Sequence, residues 1–207
     1  MKKFKTQDGS YTFFNEVVQE HYHSVTGAFE EALKKYVLPL EICDGMKILD
    51  FCFGLGYNSF TACSVARDLD ITGLENDKEI ISLISPELYP EDIGKITAEM
   101  LKNKMFDKFR RNSVKLIIGD AVCTIKELKK DYFDCVMFDP FSPGKAPELW
   151  SEDVFYDVFK TLKPGGKLAT YSCAGKVRRA MKSAGFTVFD GPSVGRRSPS
   201  TIAVKPV

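Results

Sequence analysis

The sequence predicts an α/β fold: a mostly parallel, seven-stranded sheet with helices on both faces and an antiparallel hairpin at one edge. Three observations carry this. From Met46 onward, short apolar runs alternate with segments of helical spacing. A glycine-containing turn, Phe53-Gly54-Leu55-Gly56, directly follows the first run. The last two runs, Phe186–Phe189 and Thr201–Val204, have no helical segment between them. Strands separated by helices are joined by crossovers and pair in parallel, whereas two strands joined without a helix pair antiparallel.

Taken in order, Met46–Cys52 is the first buried strand, and Tyr57 to Arg67 the helix after it. Ile71–Glu75 is the second strand. Lys78 to Ile84 is a short helix, broken by Ser85-Pro86 and Pro90. Ile96 to Phe109 has helical spacing and many lysines, and is expected to be amphipathic. Val114–Ile118 is a strand, Ala121–Leu128 a helix and Phe133–Phe138 a strand. Ser151 is a candidate N-cap for a helix through Leu162, which Pro164-Gly165-Gly166 should terminate. Lys167–Tyr171 is the fifth strand and Lys176–Ser183 a helix. Before Met46, Asp8-Gly9-Ser10 and Tyr11-Thr12-Phe13-Phe14 read as a turn and a hairpin strand, and Thr26 to Val37 as a helix. Residues 1–45 are thus an extension packed on a core of residues 46–207.

Composition sets outer bounds. At 207 residues, 44% apolar and 28% charged, the chain can bury one sizeable core without disulfides. No apolar run approaches the roughly 20 residues of a membrane span. Met1 to Asp8 lacks the apolar stretch of a signal peptide, so a cytoplasmic location is expected. The six cysteines, Cys43, Cys52, Cys63, Cys123, Cys135 and Cys173, show no C-x-x-C spacing and read as reduced thiols. His21 and His23 cannot complete a metal site by themselves, and no metal is expected. Charge is uneven: residues 1–140 hold 18 Lys/Arg and 23 Asp/Glu, residues 141–207 hold 11 and 5. A basic C-terminal third fits an anionic partner or a solvated surface.

The chemistry-bearing residues fall at the carboxyl ends of the predicted parallel strands, where open α/β sheets bind ligands. Gly54 and Gly56 allow close backbone approach. Glu75, about 20 residues on, ends the second strand, where a carboxylate accepts bonds from ribose hydroxyls. Asp120, in Ile118-Gly119-Asp120-Ala121, is placed to reach an adenine amino group, and Asp139 ends the fourth strand. Cys52 stands where a G-x-G-x-x-G turn would have its first glycine. A turn lacking that glycine suits a ligand without phosphates, such as S-adenosylmethionine, better than a dinucleotide.

Phe138-Asp139-Pro140-Phe141-Ser142-Pro143-Gly144-Lys145-Ala146-Pro147-Glu148-Leu149-Trp150 is the most distinctive stretch. It resembles the Asp-Gly-Phe-Ala-Pro-like segment, followed by Lys, Pro and Trp, of the MnmC methyltransferase domain. That family completes 5-methylaminomethyl-2-thiouridine at the tRNA wobble position. The resemblance continues through Pro164-Gly165-Gly166, Ala174-Gly175, Val177-Arg178-Arg179, Ala184-Gly185-Phe186 and Gly195-Arg196-Arg197, and includes Gly54-x-Gly56-x-Asn58. Residues 8–32, with Glu20-His21-Tyr22-His23-Ser24, look similar to the N-terminal region of stand-alone members. Pro140 departs from the glycine that often follows the catalytic-strand Asp, and stiffens that turn.

The resemblance implies a Rossmann-like class I methyltransferase dependent on S-adenosylmethionine, in a stand-alone form without the FAD oxidase domain of many members. It implies Gly54, Gly56, Asn58, Glu75, Asp120, Ala121 and Tyr22 as cofactor residues, and Asp139 as the residue that orients the acceptor amine or takes its proton. Phe141 would stack on a uracil ring and Tyr22 close over the methionine side, unless both are ordinary packing. Lys145, Lys176, Arg178, Arg179, Arg196 and Arg197 would meet the phosphates of a tRNA anticodon loop, or form a solvated face. A second basic cluster, Lys102, Lys104, Lys108, Arg110 and Arg111, is interleaved with Met105, Phe106 and Phe109, which fit packing on the sheet. Two other readings stay open: an enzyme transferring a methyl or aminopropyl group to a small amine, and a non-catalytic nucleotide- or RNA-binding module.

Overall fold

The computed structural model describes residues 1–102, 107–109, 111–194 and 197–207, with 107–109 as backbone only. Lys104, Met105, Phe106, Arg110 and Arg196 therefore lie outside the described residues.

Strands β1 (Lys2–Lys5), β2 (Tyr11–Asn15) and β3 (Glu20–His21) form a small antiparallel sheet. The predicted turn docks it onto the next helix. Asp8 Oδ1 accepts from Thr6 Oγ1 and the Ser10 hydroxyl, while Asp8 Oδ2 accepts from the Glu30 amide at 2.9 Å. Helix α1 (Ala28–Glu31) runs directly into a π-helical turn, Ala32–Val37. The sequence reads as one regular helix here. The wider turn is seen in the Leu38 amide bonding to the Leu33 carbonyl, and such turns recur where a side chain is re-aimed toward a site.

The main sheet uses β4 (Lys47–Phe51), β5 (Asp70–Glu75), β6 (Asp107–Phe109), β7 (Asn112–Ile118), β8 (Phe133–Phe138), β9 (Leu162–Thr170), β10 (Thr187–Asp190) and β11 (Thr201–Val204). Its order is β10-β11-β9-β8-β4-β5-β7-β6. β7, β5, β4, β8 and β9 are parallel, while β11 pairs antiparallel with both β9 and β10, giving the expected edge hairpin. The order reverses at β4, between β5 and β8, so the crevice above β4 is the topological switch point.

The helices are α2 (Tyr57–Val65), α3 (Lys78–Ser82), α4 (Glu91–Lys102), α5 (Ala121–Thr124), α6 (Glu152–Thr161) and α7 (Gly175–Ser183). Ser151 caps α6 as expected, accepting the Val154 amide. Two expectations need correction. The helix expected to reach Phe109 ends at Lys102, and Asp107–Phe109 is an eighth strand paired with β7. Apolar Met105, Phe106 and Phe109 prolong a helical period there, but tertiary pairing overrides it. Pro164-Gly165-Gly166 lies inside β9 rather than between a helix and a strand, at an irregularity in the β8–β9 register.

Two apolar clusters flank the sheet. One joins the N-terminal segment to the core: Phe13, Ala28, Ala32, Tyr36 and Val37 pack with Ile48, Tyr57 and Phe60. The other gathers Phe51, Phe138, Trp150 and Phe155, with Phe51 and Phe138 stacked at 4.5 Å. Among the described residues, no helix is long and apolar enough to cross a membrane.

Candidate active site

The turn after β4 is tight because three of its residues take positive φ: Cys52 (67°), Gly54 (54°) and Gly56 (74°). The two glycines serve different ends. Gly54 lies on a cavity wall, and a Cβ there would stand 3.4 Å from the Tyr22 ring. A Cβ on Gly56 would come within 2.5 Å of the Phe53 ring, so this glycine serves packing beneath the turn. Cys52 holds the left-handed conformation that the missing glycine would have taken, at a cost of roughly 1 kcal/mol.

The cavity over this turn measures about 430 Å³. It brings together Tyr22, Gly54, Glu75, Asp120, Ala121, Asp139, Phe141 and Lys145 from the expected set. Glu75 accepts the Gly54 amide at 2.7 Å and the Asn76 and Asp77 amides at 2.9 Å. Burial pushes its carboxyl up, and those three bonds oppose the rise. Asp120 also N-caps α5, accepting from the Val122 amide at 2.9 Å. Tyr22 donates to Asp77 Oδ2 at 2.5 Å and accepts from Asn15 Nδ2 at 3.2 Å. Its ring lies 4.9 Å from that of Phe141.

Asp139 is held from three sides. The Tyr36 hydroxyl donates to Oδ1 at 2.5 Å, Asn58 Nδ2 donates to Oδ2 at 3.0 Å, and His23 Nδ1 lies 3.9 Å from Oδ2. Burial, then the charge of Glu31, raises the Asp139 carboxyl to about 7, against the lowering effect of Tyr36, Asn58 and Lys35. Burial lowers His23 to about 4, so it is neutral near pH 7, and its Nε2 has no hydrogen-bond partner. The loop after Asp139 is pinned by three side chains. Tyr171 donates to the Pro140 carbonyl at 3.0 Å, Trp150 Nε1 to the Phe141 carbonyl at 2.8 Å, and Glu20 accepts from the Ser142 amide and hydroxyl.

A second cavity of about 380 Å³ meets the first at Tyr22, His23, Asp139 and Phe141. Its remaining wall includes Glu20, Glu31, Lys35 and Tyr171. The two cavities share the Asp139 carboxylate.

Other expected residues fall elsewhere. Asn58 is buried and off the first cavity wall, where its amide holds Asp139 instead. Arg178 lines neither cavity: its guanidinium is committed to Asp190, Thr201 and the Ser200 carbonyl, a framework role in place of the expected phosphate contact. Arg179, Lys176 and Arg197 are exposed and off both walls. Tyr36, His23, Glu31 and Lys35 went unread as site residues. The available signal was the Ala28, Ala32, Tyr36 stripe at i, i+4 spacing, which marks a buried helix face.

The donor set tests which ligand the first cavity suits. Its wall carries Glu75, Asp77, Asp120, Asp139 and Glu148 against one basic side chain, Lys145, among the described residues. Such a wall repels a pyrophosphate and suits S-adenosylmethionine, whose sulfonium and ammonium outweigh its carboxylate.

Residues 86–206 match the model of a family described as S-adenosyl-L-methionine-dependent methyltransferase. An uncharacterised protein of Methanocaldococcus jannaschii is 32% identical over 97% of this chain and 58% of its own length. The Campylobacter hominis tRNA 5-methylaminomethyl-2-thiouridine biosynthesis bifunctional protein MnmC is 26% identical over 86% of this chain and 29% of its own length. The chain thus spans between about a third and three-fifths of these relatives. The crystal structure of MnmC2 from Aquifex aeolicus superimposes with a TM-score of 0.83 at 32% identity, covering 100% of this chain and 72% of that one. The eight-stranded Rossmann-like sheet, the acidic cavity at its switch point and these matches agree: the chain belongs to the S-adenosylmethionine-dependent methyltransferases related to the methyltransferase domain of MnmC.

Proposed function

We propose that the protein methylates the primary amine of 5-aminomethyluridine, with or without 2-thiolation, at the wobble position of tRNA, giving the 5-methylaminomethyl product. The observation that carries this reading is the clamped, buried carboxylate of Asp139 at the junction of two cavities. The relatedness to MnmC supports the choice of acceptor.

Gly54, Glu75, Asp120, Ala121 and Tyr22 would hold the cofactor in the first cavity. Glu75 would accept ribose hydroxyls and Asp120 the adenine amino group. When bound, S-adenosylmethionine supplies an electrophilic methyl group on its sulfonium.

An amine attacks only through a free lone pair, so an arriving ammonium must first lose a proton. Asp139 would accept it at a carboxylate oxygen and become the neutral acid. An ordinary carboxylate lies about 6 units below a primary alkyl amine, a transfer uphill by roughly 9 kcal/mol. With Asp139 raised to about 7 the gap is roughly 3 units, or about 5 kcal/mol. The clamp by Tyr36 and Asn58 then fixes which way the carboxylate aims, which is a positioning contribution.

The phosphates of the anticodon loop would be met by Lys145 at the cavity rim, with Arg179, Arg196 and Arg197 as further candidates. A wobble base is single-stranded and can be splayed into a pocket at modest cost. Mass spectrometry of wobble uridines tests the reading, after incubating the protein with S-adenosylmethionine and tRNA carrying 5-aminomethyluridine. A gain of one methyl group on that nucleoside supports it. Methylation of free polyamines with tRNA left untouched overturns it.

A further inference from the structure

The second cavity is bounded by charges that the cofactor reading does not use. Its wall carries three carboxylates, Glu20, Glu31 and Asp139, against one ammonium, Lys35, among the described residues. Glu20 is engaged by Ser142. Glu31 accepts the Lys35 ammonium at 2.5 Å and the Ser24 amide at 3.0 Å, and the Glu31 and Lys35 side chains are 12% and 9% exposed. Burying two carboxylates around one space with a single counter-ion is unfavourable unless something cationic enters. The rest of the wall includes the rings of Tyr22, Phe141 and Tyr171. A volume of about 380 Å³ admits one ring with its substituents, not a folded loop.

We propose that this cavity is the acceptor site, that it selects a primary ammonium borne on a planar ring, and that Glu31 is the specificity-determining residue that draws the cation in beside Asp139. The inference rests on the methyltransferase reading and deepens it. Lys35 works against selection: it cancels part of the Glu31 charge and keeps the empty site from repelling itself apart. The groups facing Asp139 are Glu31 and Lys35 from the α1 segment, Tyr36 from the π-helical turn, His23 beyond β3, Asn58 from α2, and Asp50 beneath on β4. Glu31 is the largest charge among them acting on Asp139, and it raises that carboxyl. The same residue that attracts the ammonium therefore makes its neighbour a stronger base. After the proton moves from nitrogen to Asp139, the site holds a neutral amine beside a neutral acid, with Glu31 still paired to Lys35.

The test uses the full chain with S-adenosylhomocysteine present and benzylamine as the probe, with benzyl alcohol as its neutral counterpart, by calorimetry near pH 7. Benzylamine is expected to bind and benzyl alcohol to bind at least tenfold more weakly. Glu31→Gln should weaken benzylamine about tenfold and leave benzyl alcohol unchanged, while Lys35→Met should strengthen benzylamine. Opposite signs in two neighbouring variants separate electrostatics from misfolding, which would weaken both. Unchanged S-adenosylhomocysteine affinity checks the fold of each. Equal binding of the two probes, or no effect of Glu31→Gln on benzylamine, overturns the proposal even if tRNA is methylated. Cation selection without tRNA methylation would leave it standing and remove the wobble-uridine reading instead.

Discussion

The Tyr36 hydroxyl donates to Asp139 Oδ1 at 2.5 Å, joining residues 103 positions apart in the chain. Tyr36 is fully buried, and both burial and the adjacent Asp139 charge hold its phenol well above the ordinary range. It is therefore a proton donor at every pH the protein meets, and Asp139 receives that bond only as an acceptor. Asn58 binds the other oxygen. The carboxylate cannot rotate without losing one of two buried bonds, each worth about 1 kcal/mol or more.

Tyr36→Phe removes a bond that favours the ionised form, so Asp139 should titrate higher still. The acidic limb of the pH profile of kcat/KM should move upward by about half to one unit, with activity at pH 6 falling more than at pH 9. Carbon NMR of the labelled Asp139 carboxyl reads the same shift without turnover. A downward shift, or none, would contradict the assigned geometry.

Asp139→Asn should reduce methyl transfer at least a hundredfold while cofactor affinity stays within a few-fold. It should also stabilise the protein, with a definite pH dependence. The folded state holds the Asp139 proton up to about 7, the unfolded chain only to about 4. Between those values the native state binds more protons, so the wild type loses stability as pH rises through this window. The variant escapes that loss. Its advantage should be small below pH 4 and reach the order of 2–4 kcal/mol above pH 7, several degrees in Tm by scanning calorimetry.

Much of this site was legible in the sequence, for a local reason. A strand, a turn and an acidic residue at its end sit within about ten residues of one another, so Gly54, Glu75, Asp120 and Asp139 could be placed from pattern alone. The parallel order then carries them to one rim. Tyr36, Glu31 and Lys35 were not legible as site residues. Their roles arise from a contact spanning half the chain, and from a π-helical turn that no hydrophobic period announces. Asn58 was found but misassigned, because its glycine-turn context points to the cofactor while its side chain points to Asp139. The end of α4 failed for the opposite reason: local periodicity continued where the backbone turned into a hairpin.

Cys52 tests whether the positive φ or the thiol matters at the cofactor turn. Its φ of 67° favours glycine, and its side chain packs against the Phe51 cluster. Cys52→Gly relieves roughly 1 kcal/mol of backbone strain and forfeits a comparable packing contribution, so stability should change by less than about 1 kcal/mol. Cys52→Val puts a β-branched side chain at the same φ and should cost more than about 2 kcal/mol. Urea denaturation midpoints distinguish the two. A strongly destabilised glycine variant would show that packing, not conformation, governs this position.

Arg178 separates a framework cation from a phosphate-binding one. Its guanidinium donates to Thr201 Oγ1 at 2.9 Å, Asp190 Oδ1 at 2.6 Å and the Ser200 carbonyl at 3.0 Å. Thr201 Oγ1 in turn donates to the Ser172 carbonyl at 2.7 Å, so one planar fork ties α7 to the edge hairpin and to the end of β9. Arg178→Ala leaves the fully buried Thr201 short of a donor and should cost about 2 kcal/mol, with Arg178→Lys restoring little because an ammonium cannot serve three acceptors in one plane. The KM for tRNA should stay unchanged. Lys145→Ala, at the exposed cavity rim, should do the reverse: raise KM several-fold, more at low salt, with Tm unmoved. Parallel measurement of Tm and KM on the two variants decides it, since a loss of tRNA affinity in Arg178→Ala at unchanged Tm would return that arginine to the RNA interface.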